Sequence, residues 1–300
     1  MKKILNYRVL LYYKYVHIED HESYAKQHMK FCSSLGLKGR ILIAEEGING
    51  TVSGTAEQTN AYIYAMRMDT RFKDMVFKID EAEEHAFKKL YVRPKKEIVT
   101  MNLENDLNPN QITGKRLKPA EFLEAMKEEN VLIVDVRNDY EYDIGHFKNA
   151  VRPDVKNFKQ FPEWAKKNKE LLKNKKILAY CTGGVRCEKF SGYLVREGFT
   201  NVNQLKGGII AYSKHPDTKG SLFEGKCYVF DERIAVDVNF AEGTMIVGKC
   251  FHCGSPSDRY VNCANLSCHT QFLCCDNCEE KTVKTCSEKC RDVVDLYIKI

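Results

Sequence analysis

No window of this 300-residue chain approaches 18 uninterrupted apolar side chains, so no transmembrane helix is expected. The start, Met1 to Arg8, is basic at Lys2 and Lys3. Asn6, Arg8 and Lys14 interrupt the apolar run behind it, and no small-residue cleavage site follows. A secretory signal is therefore not expected, which points to a cytoplasmic chain with reduced thiols. Neither sign of charge dominates: a net +6 permits a polyanionic partner without demanding one. There is no internal repeat, no low-complexity tract, and no flavin, haem or facial-triad iron signature, so no organic cofactor is indicated. With 43% hydrophobic and 29% charged residues the chain is not a disordered one. Its length suits two ordinary domains and a small third.

Cysteine is what the chain has in excess. Nine of the thirteen lie between Cys250 and Cys290; the others are Cys32, Cys181, Cys187 and Cys227. With reduced thiols, this placement favours metal binding by the cluster and redox or nucleophilic chemistry at one of the others.

The first hundred residues alternate strand and helix signals. Val9–Tyr13 reads as a strand, His21–Leu35 as a helix, Arg40–Ala44 as a buried strand, and Glu45–Gly50 as a turn on the strength of Asn49-Gly50. A strand at Thr51–Ser53, a helix over Ala56–Met68, a strand at Val76–Ile79 and a possible edge at Glu97–Thr100 follow. This β-α-β-β-α-β order is the ferredoxin-like split unit. The expected division is an α+β domain over 1–101, a linker over 102–117, an α/β domain over 118–225 and a cysteine-rich segment over 226–300. In the second domain the runs Val131–Val136 and Lys175–Tyr180 read as fully buried parallel strands separated by helices, a doubly wound arrangement.

Cys181 stands where the second of these strands ends and a helix begins, the usual place for active-site loops in open α/β sheets. Thr182, Gly183, Gly184 and Val185 form an anion-cradle loop: the glycines let the backbone curl so that N–H groups converge on one centre. The helix N-terminus and Arg186 add positive charge. Each effect favours the thiolate, and the same cradle would hold an anionic persulfide. Cys187, on the first helical turn, is a candidate resolving or accessory thiol.

The stretch 118–225 resembles a rhodanese domain. The resemblance rests on Asp135-Val136-Arg137, Glu141, Gly145-His146-Phe147-Lys148-Asn149-Ala150, the Cys181–Arg186 loop and Leu205-Lys206-Gly207-Gly208-Ile209. Lys148-Asn149 replaces the family's usual Pro-Gly. In that family the matching cysteine carries a persulfide. Four residues separate Cys181 from Arg186, where cysteine phosphatases of similar fold use five, so a phosphatase is disfavoured. Asp135, Arg137 and Glu141 read as structural ion-pair residues.

In the tail, Cys-x-x-Cys and wider pairs are the spacing of structural zinc. One interleaved assignment places Cys250, Cys253, Cys275 and Cys278 in one site and Cys263, Cys268, Cys286 and Cys290 in another. Cys274 could replace Cys275, His252 or His269 could enter, a single site is possible, and iron–sulfur is an alternative. So little apolar material is present that metal would supply much of the segment's folding energy.

Across nearly its whole length the chain is similar to the TrhO-type tRNA uridine hydroxylases. Gly39–Thr51, the loop Cys181-Thr182-Gly183-Gly184-Val185-Arg186-Cys187-Glu188-Lys189 and Asp258–Cys263 carry this resemblance. It implies an oxidoreductase that converts the wobble uridine of tRNA to 5-hydroxyuridine with molecular oxygen as co-substrate and an electron donor yet to be named. The anticodon loop would be the partner, and the N-terminal unit would be acylphosphatase-like. Two other functions fit the residues: a persulfide sulfurtransferase, and a non-catalytic zinc-stabilised RNA-binding module. For RNA contacts the candidates are Lys166, Lys167, Lys169, Lys173, Lys175 and Lys176 as one group, and Arg93, Lys95 and Lys96 as another.

Overall fold

A computed structural model describes residues 5–298; Lys2 and Lys3 of the basic opening lie outside the described residues. The aromatic and β-branched run near the start forms β1 (Tyr7–Tyr15). It is followed by α1 (His21–Ser34), β2 (Lys38–Ala44), β3 (Gly47–Thr55), α2 (Ala56–Met68), β4 (Lys78–Ala82) and β5 (Leu90–Pro94). Asp20 caps α1 by accepting from the Ser23 N–H, and Thr55 and Gln58 form a reciprocal capping box on α2. The strands make one sheet in the order β4-β1-β3-β2-β5. Leu10, Tyr12, Ile41, Ile43 and Val52 pack on side chains of α1 and α2, including Ala25, Cys32, Tyr62 and Met66. Side chains alternate across a strand, so Leu11 and Tyr13, with Lys78 paired beside Leu11, belong to the opposite face.

Three local expectations are corrected. The β2–β3 hairpin turns at Glu45-Glu46, while Asn49 and Gly50 lie inside β3, paired with Leu42 and Ile41. Gly50 is required by close approach: a Cβ there would lie 2.4 Å from the Tyr12 hydroxyl. The fourth strand starts at Lys78, because its register against β1 runs from Leu11↔Lys78 to Tyr7↔Ala82. Residues 97–100 form a loop, with the Ile98 N–H donating to Glu46 Oε1 at 2.7 Å. The edge strand is instead β5, parallel to β2. It is short and ends in proline, tolerable only at an edge, and its sequence gives little strand signal.

The second unit runs β6 (Lys115–Leu117), α3 (Pro119–Ala125), β7 (Val131–Asp135), α4 (Asp139–Ile144), β8 (Gly145–Phe147), α5 (Phe161–Lys167), α6 (Lys169–Leu172), β9 (Lys176–Tyr180), α7 (Val185–Arg196), β10 (Val202–Leu205), α8 (Gly208–Lys214) and β11 (Phe223–Gly225). The segment expected as a linker thus ends in a strand. A parallel sheet in the order β6-β10-β9-β7 forms its centre. Ile133, Leu178 and Tyr180 enter one core with Phe122 and Ile209; Val134, Ile177 and Ala179 enter the other with Phe161 and Phe190. Helices therefore cover both faces. Asn149 takes φ +63°, a left-handed conformation that asparagine tolerates, in the turn where the rhodanese pattern has Pro-Gly.

The last unit has little regular structure: β12 (Cys227–Tyr228), β13 (Ala235–Val236), β14 (Tyr260–Asn262), β15 (Gln271–Leu273), α9 (Asp276–Thr282) and α10 (Glu288–Ile298). Among the described residues no helix is long and apolar enough to cross a membrane.

A buried charge cluster ties the first unit to the second. The Lys189 side chain on α7 is fully buried and meets Glu46 at 2.8 Å, Glu97 at 2.7 Å and Asp106 at 2.9 Å. Glu46 belongs to the β2–β3 turn; Glu97 and Asp106 belong to the connection. Lys189→Met would leave these carboxylates without their cation, and a loss of about 3–5 kcal/mol in unfolding free energy is expected. Denaturant unfolding checks this, and an unchanged midpoint would contradict the stabilising role.

Candidate functional site

Cys181 leaves β9 fully buried. Gly184, at φ +105°, turns the chain into α7 and points its N–H at Cys181 Sγ, 3.1 Å away. The sulfur's environment works in two directions. Burial opposes ionisation, but the Cys187 thiol, the Arg186 charge and the N–H groups of Cys187 and Gly184 outweigh it and bring the Cys181 thiol down to about 6. Cys187 is driven the other way, by burial first and then by its neighbour Cys181. The pair therefore divides into one thiolate and one thiol donor at neutral pH.

Arg186 does not hang free over the sulfur. Its guanidinium forms a bidentate pair with the fully buried Glu141, at 2.6 and 2.8 Å. Thr182 Oγ1 lies 3.5 Å from the same carboxylate. Asp135 and Arg137 form a second buried bidentate pair at 2.8 and 2.6 Å, extended by the Tyr180 hydroxyl, which donates to Asp135 at 2.7 Å. Arg137 also donates to the Gly145 carbonyl, fixing the start of β8. Glu141 thus holds the loop arginine in place, while Asp135 and Arg137 hold the framework behind it.

The open face of the N-terminal sheet sits on this loop, which the sequence did not show. A Cβ on Gly183 would lie 3.1 Å from Leu11 Cδ2, and one on Gly184 would lie 2.9 Å from the Tyr13 hydroxyl. The Tyr15 hydroxyl donates to the Val185 carbonyl at 3.1 Å, and Tyr13 donates to Glu188 at 3.1 Å. The glycines therefore serve a second purpose beside curling the backbone: they leave room for the neighbouring domain. On another side, Phe230 stands 47% exposed with its ring centre 6.0 Å from the Arg186 guanidinium carbon and 5.2 Å from Tyr228. No motif marked Leu11, Tyr13 or Phe230, since each acts only through tertiary contact.

The two basic groups fall in different places. Lys175 precedes β9 and Lys176 begins it, about 16 Å along the strand from Cys181 at its other end. Lys176 pairs with Glu128 and Lys167 with Glu163. Arg93 and Lys95 line a groove with Arg40 and Tyr91 on the first sheet, and the Arg93 guanidinium lies 5.0 Å over the Tyr91 ring.

The tail cysteines form two sets of four, Cys250/Cys253/Cys275/Cys278 and Cys263/Cys268/Cys286/Cys290, the sulfurs of each set lying within 4.8 Å of one another. Zn–S bonds of about 2.3 Å in a tetrahedron require S···S separations of about 3.8 Å. The observed Cys253–Cys275, Cys268–Cys286 and Cys286–Cys290 separations are 3.7, 3.5 and 3.8 Å. The clusters could therefore hold metal ions. Cys274, His252 and His269 fall outside both sets. Cys32 and Cys227 are buried with thiols pushed up to about 12 by burial, unlike Cys181.

Three family models cover the chain: a UPF0176 acylphosphatase like domain at residues 7–98, a rhodanese-like domain at 118–215 and a rhodanase C-terminal segment at 224–291. The curated relatives carry one name. A tRNA uridine(34) hydroxylase of Bacillus licheniformis is 59% identical over 294 residues, covering 98% of this chain and 91% of that protein. One from Bacillus mycoides is 59% identical over 285 residues, covering 95% and 89%. Identity this high over almost the full length places the chain in the tRNA uridine(34) hydroxylase family.

Proposed function

We propose that the chain hydroxylates carbon 5 of uridine 34 in tRNA, with Cys181 as the reactive group and Arg186 as its positively charged neighbour. The acidic, donor-lined Cys181 thiol in a chain 59% identical to named hydroxylases carries this reading. Thiolate addition to carbon 6 of uracil makes an enolate and renders carbon 5 nucleophilic. Molecular oxygen and a two-electron donor then supply the hydroxyl oxygen and release water. Loss of the carbon 5 proton expels the thiolate and restores the ring. The loop N–H groups and the Arg186 charge stabilise the anionic stages. An anticodon loop is already single-stranded, so freeing its base costs little on the RNA side. Phe230, exposed beside Arg186, offers a ring for stacking, and Arg40, Arg93 and Lys95 around Tyr91 offer charge for the RNA backbone.

We further propose two structural zinc ions in the two cysteine sets, a cytoplasmic location, and the division 1–101, 102–117, 118–225 and 226–300 as working domain limits. The matched family spans support that division.

The test is reconstitution of purified protein with unmodified tRNA and a thiol reductant under ¹⁸O₂. One heavy oxygen in a new 5-hydroxyuridine nucleoside is expected. Label arriving from water instead would overturn the oxygenase chemistry. A persulfide sulfurtransferase is the second reading, favoured by the four-residue loop; rapid thiosulfate-to-cyanide turnover without tRNA product would select it.

A further inference from the structure

Lys78 is a buried cation with no anion of its own. It lies on β4, paired with Leu11 of β1, on the sheet face that covers the Cys181 loop. Only 9% of it is exposed. Its ammonium lies 5.1 Å from the centre of the Tyr13 ring, and its Cε would lie 3.4 Å from a Cβ on Gly207. Tyr13 closes over Gly184, whose N–H donates to Cys181; the Gly207 nitrogen would lie 3.5 Å from a Cβ on that same Gly184. The lysine is therefore one layer away from the sulfur cradle. Among the described residues no carboxylate pairs with Lys78 and no acceptor takes a hydrogen bond from it.

Nearby cations are already matched. Arg186 is held by Glu141, Arg137 by Asp135, and Lys214 and Arg233 by Asp80. Glu188, the carboxylate on α7 that faces this region, is taken by Arg116 at 2.9 and 2.8 Å, with Tyr13 and Gln204 completing it. Arg186 thus divides its positive charge between Glu141 and the Cys181 sulfur. Keeping an unpaired lysine out of water is expensive. Burial pulls its pKa down to about 8, and the anions of Cys181 and Glu188 act against that fall.

We propose that Lys78 is the charge partner of the Cys181 thiolate, a positioning residue supplied to the rhodanese loop by the acylphosphatase-like domain. This rests on Cys181 being the reactive thiolate. The reactive centre is then shared between two domains, and neither holds the charge balance alone. Other groups set the sulfur's ionisation too: Tyr13 from β1, Arg186, Cys187 and Glu188 from α7, and Glu141 behind Arg186. The test must therefore vary the lysine alone.

The experiment compares full-length wild type, Lys78→Met and Lys78→Arg. Three quantities are read: the pH midpoint of Cys181 alkylation by iodoacetamide, located by peptide mass spectrometry; the single-turnover rate on tRNA; and the Tm. Lys78→Met is expected to raise the alkylation midpoint by about one pH unit and to cut the turnover rate near pH 6 by about fivefold. Its Tm is expected to fall above pH 7, where the buried thiolate loses its cation, and to change less below pH 6, where the thiol is neutral. Lys78→Arg should restore the midpoint. An unmoved midpoint in Lys78→Met overturns the proposal. An equal shift in Lys78→Arg also overturns it, because packing would then be responsible. Should wild type fail to hydroxylate tRNA while the midpoint still moves, the charge partnership stands and the hydroxylase reading falls.

Discussion

Replacing Cys181 by serine is expected to lower 5-hydroxyuridine formation by about 10⁴-fold or more, the scale seen when a nucleophile is removed from a preorganised site. The substitution changes little in volume and keeps a hydrogen-bonding atom for the Gly184 N–H. What it removes is an anion, since a serine hydroxyl does not ionise in this range. The same ionisation predicts a pH profile. The Cys181 thiol sits at about 6, so below that value it is protonated and inactive. Single-turnover rates should rise through pH 6 and level above pH 7. The measurement is nucleoside mass spectrometry of tRNA, from timed reactions and from gene-deleted cells complemented with wild type or Cys181→Ser. Full activity in the serine variant would remove Cys181 from the chemistry.

Stripping metal from the tail should unfold it. Its core is made almost entirely of cysteines, with Val261 and Phe272 as the other buried hydrophobic members. So small an apolar cluster cannot offset the entropy of ordering the segment. Zinc in a four-thiolate site contributes about 10–16 kcal/mol of apparent binding free energy, which here is folding free energy. Elemental analysis is expected to find two zinc ions per chain. Cys263→Ala should lose one of them and open its half of the tail to limited proteolysis. A strong chelator should do the same to both halves while the first two domains keep their far-ultraviolet signal. A chain that contains no metal and resists proteolysis would contradict this, and visible absorbance from iron and sulfide would replace zinc with a cluster.

The sequence shows repeating patterns more clearly than it shows contacts. The parallel strands Val131–Asp135 and Lys176–Tyr180 are legible because their interiors, Leu132 to Val134 and Ile177 to Ala179, are apolar on both faces. The cysteine sets are legible because knuckle turns fix the spacing of paired ligands. The turn expected at Asn49-Gly50 is a case where two explanations of one glycine compete. The dipeptide signals a hairpin, but the Tyr12 ring, 38 residues earlier, demands the missing Cβ. Strand β5 escaped notice because an edge strand needs only one face of hydrogen bonds and tolerates Pro94. The roles of Leu11, Tyr13 and Lys78 could not be seen at all: each is ordinary in its own strand and gains meaning only where another domain meets it. Glu141 was visible as a structural residue, yet its bidentate grip on Arg186 puts it one contact from the reactive loop.

The complete enclosure of Cys181 bears on how an acidic thiol escapes oxidation. A thiol that ionises near pH 6 is the kind that peroxide drives to sulfenic and then irreversible sulfinic acid. Leu11 and Tyr13 pack over its glycine loop, so a solution oxidant or alkylating agent reaches the sulfur only as the loop opens. Dioxygen is small and apolar and can permeate packed protein; a bulky reducing protein cannot. If dioxygen is the oxidant, size would set the order of events: the gas could arrive at any time, whereas a protein-sized reductant could not reach the sulfur while the two domains are packed together. The packing that makes the cysteine hard to reach also shields an acidic thiol from oxidants in solution.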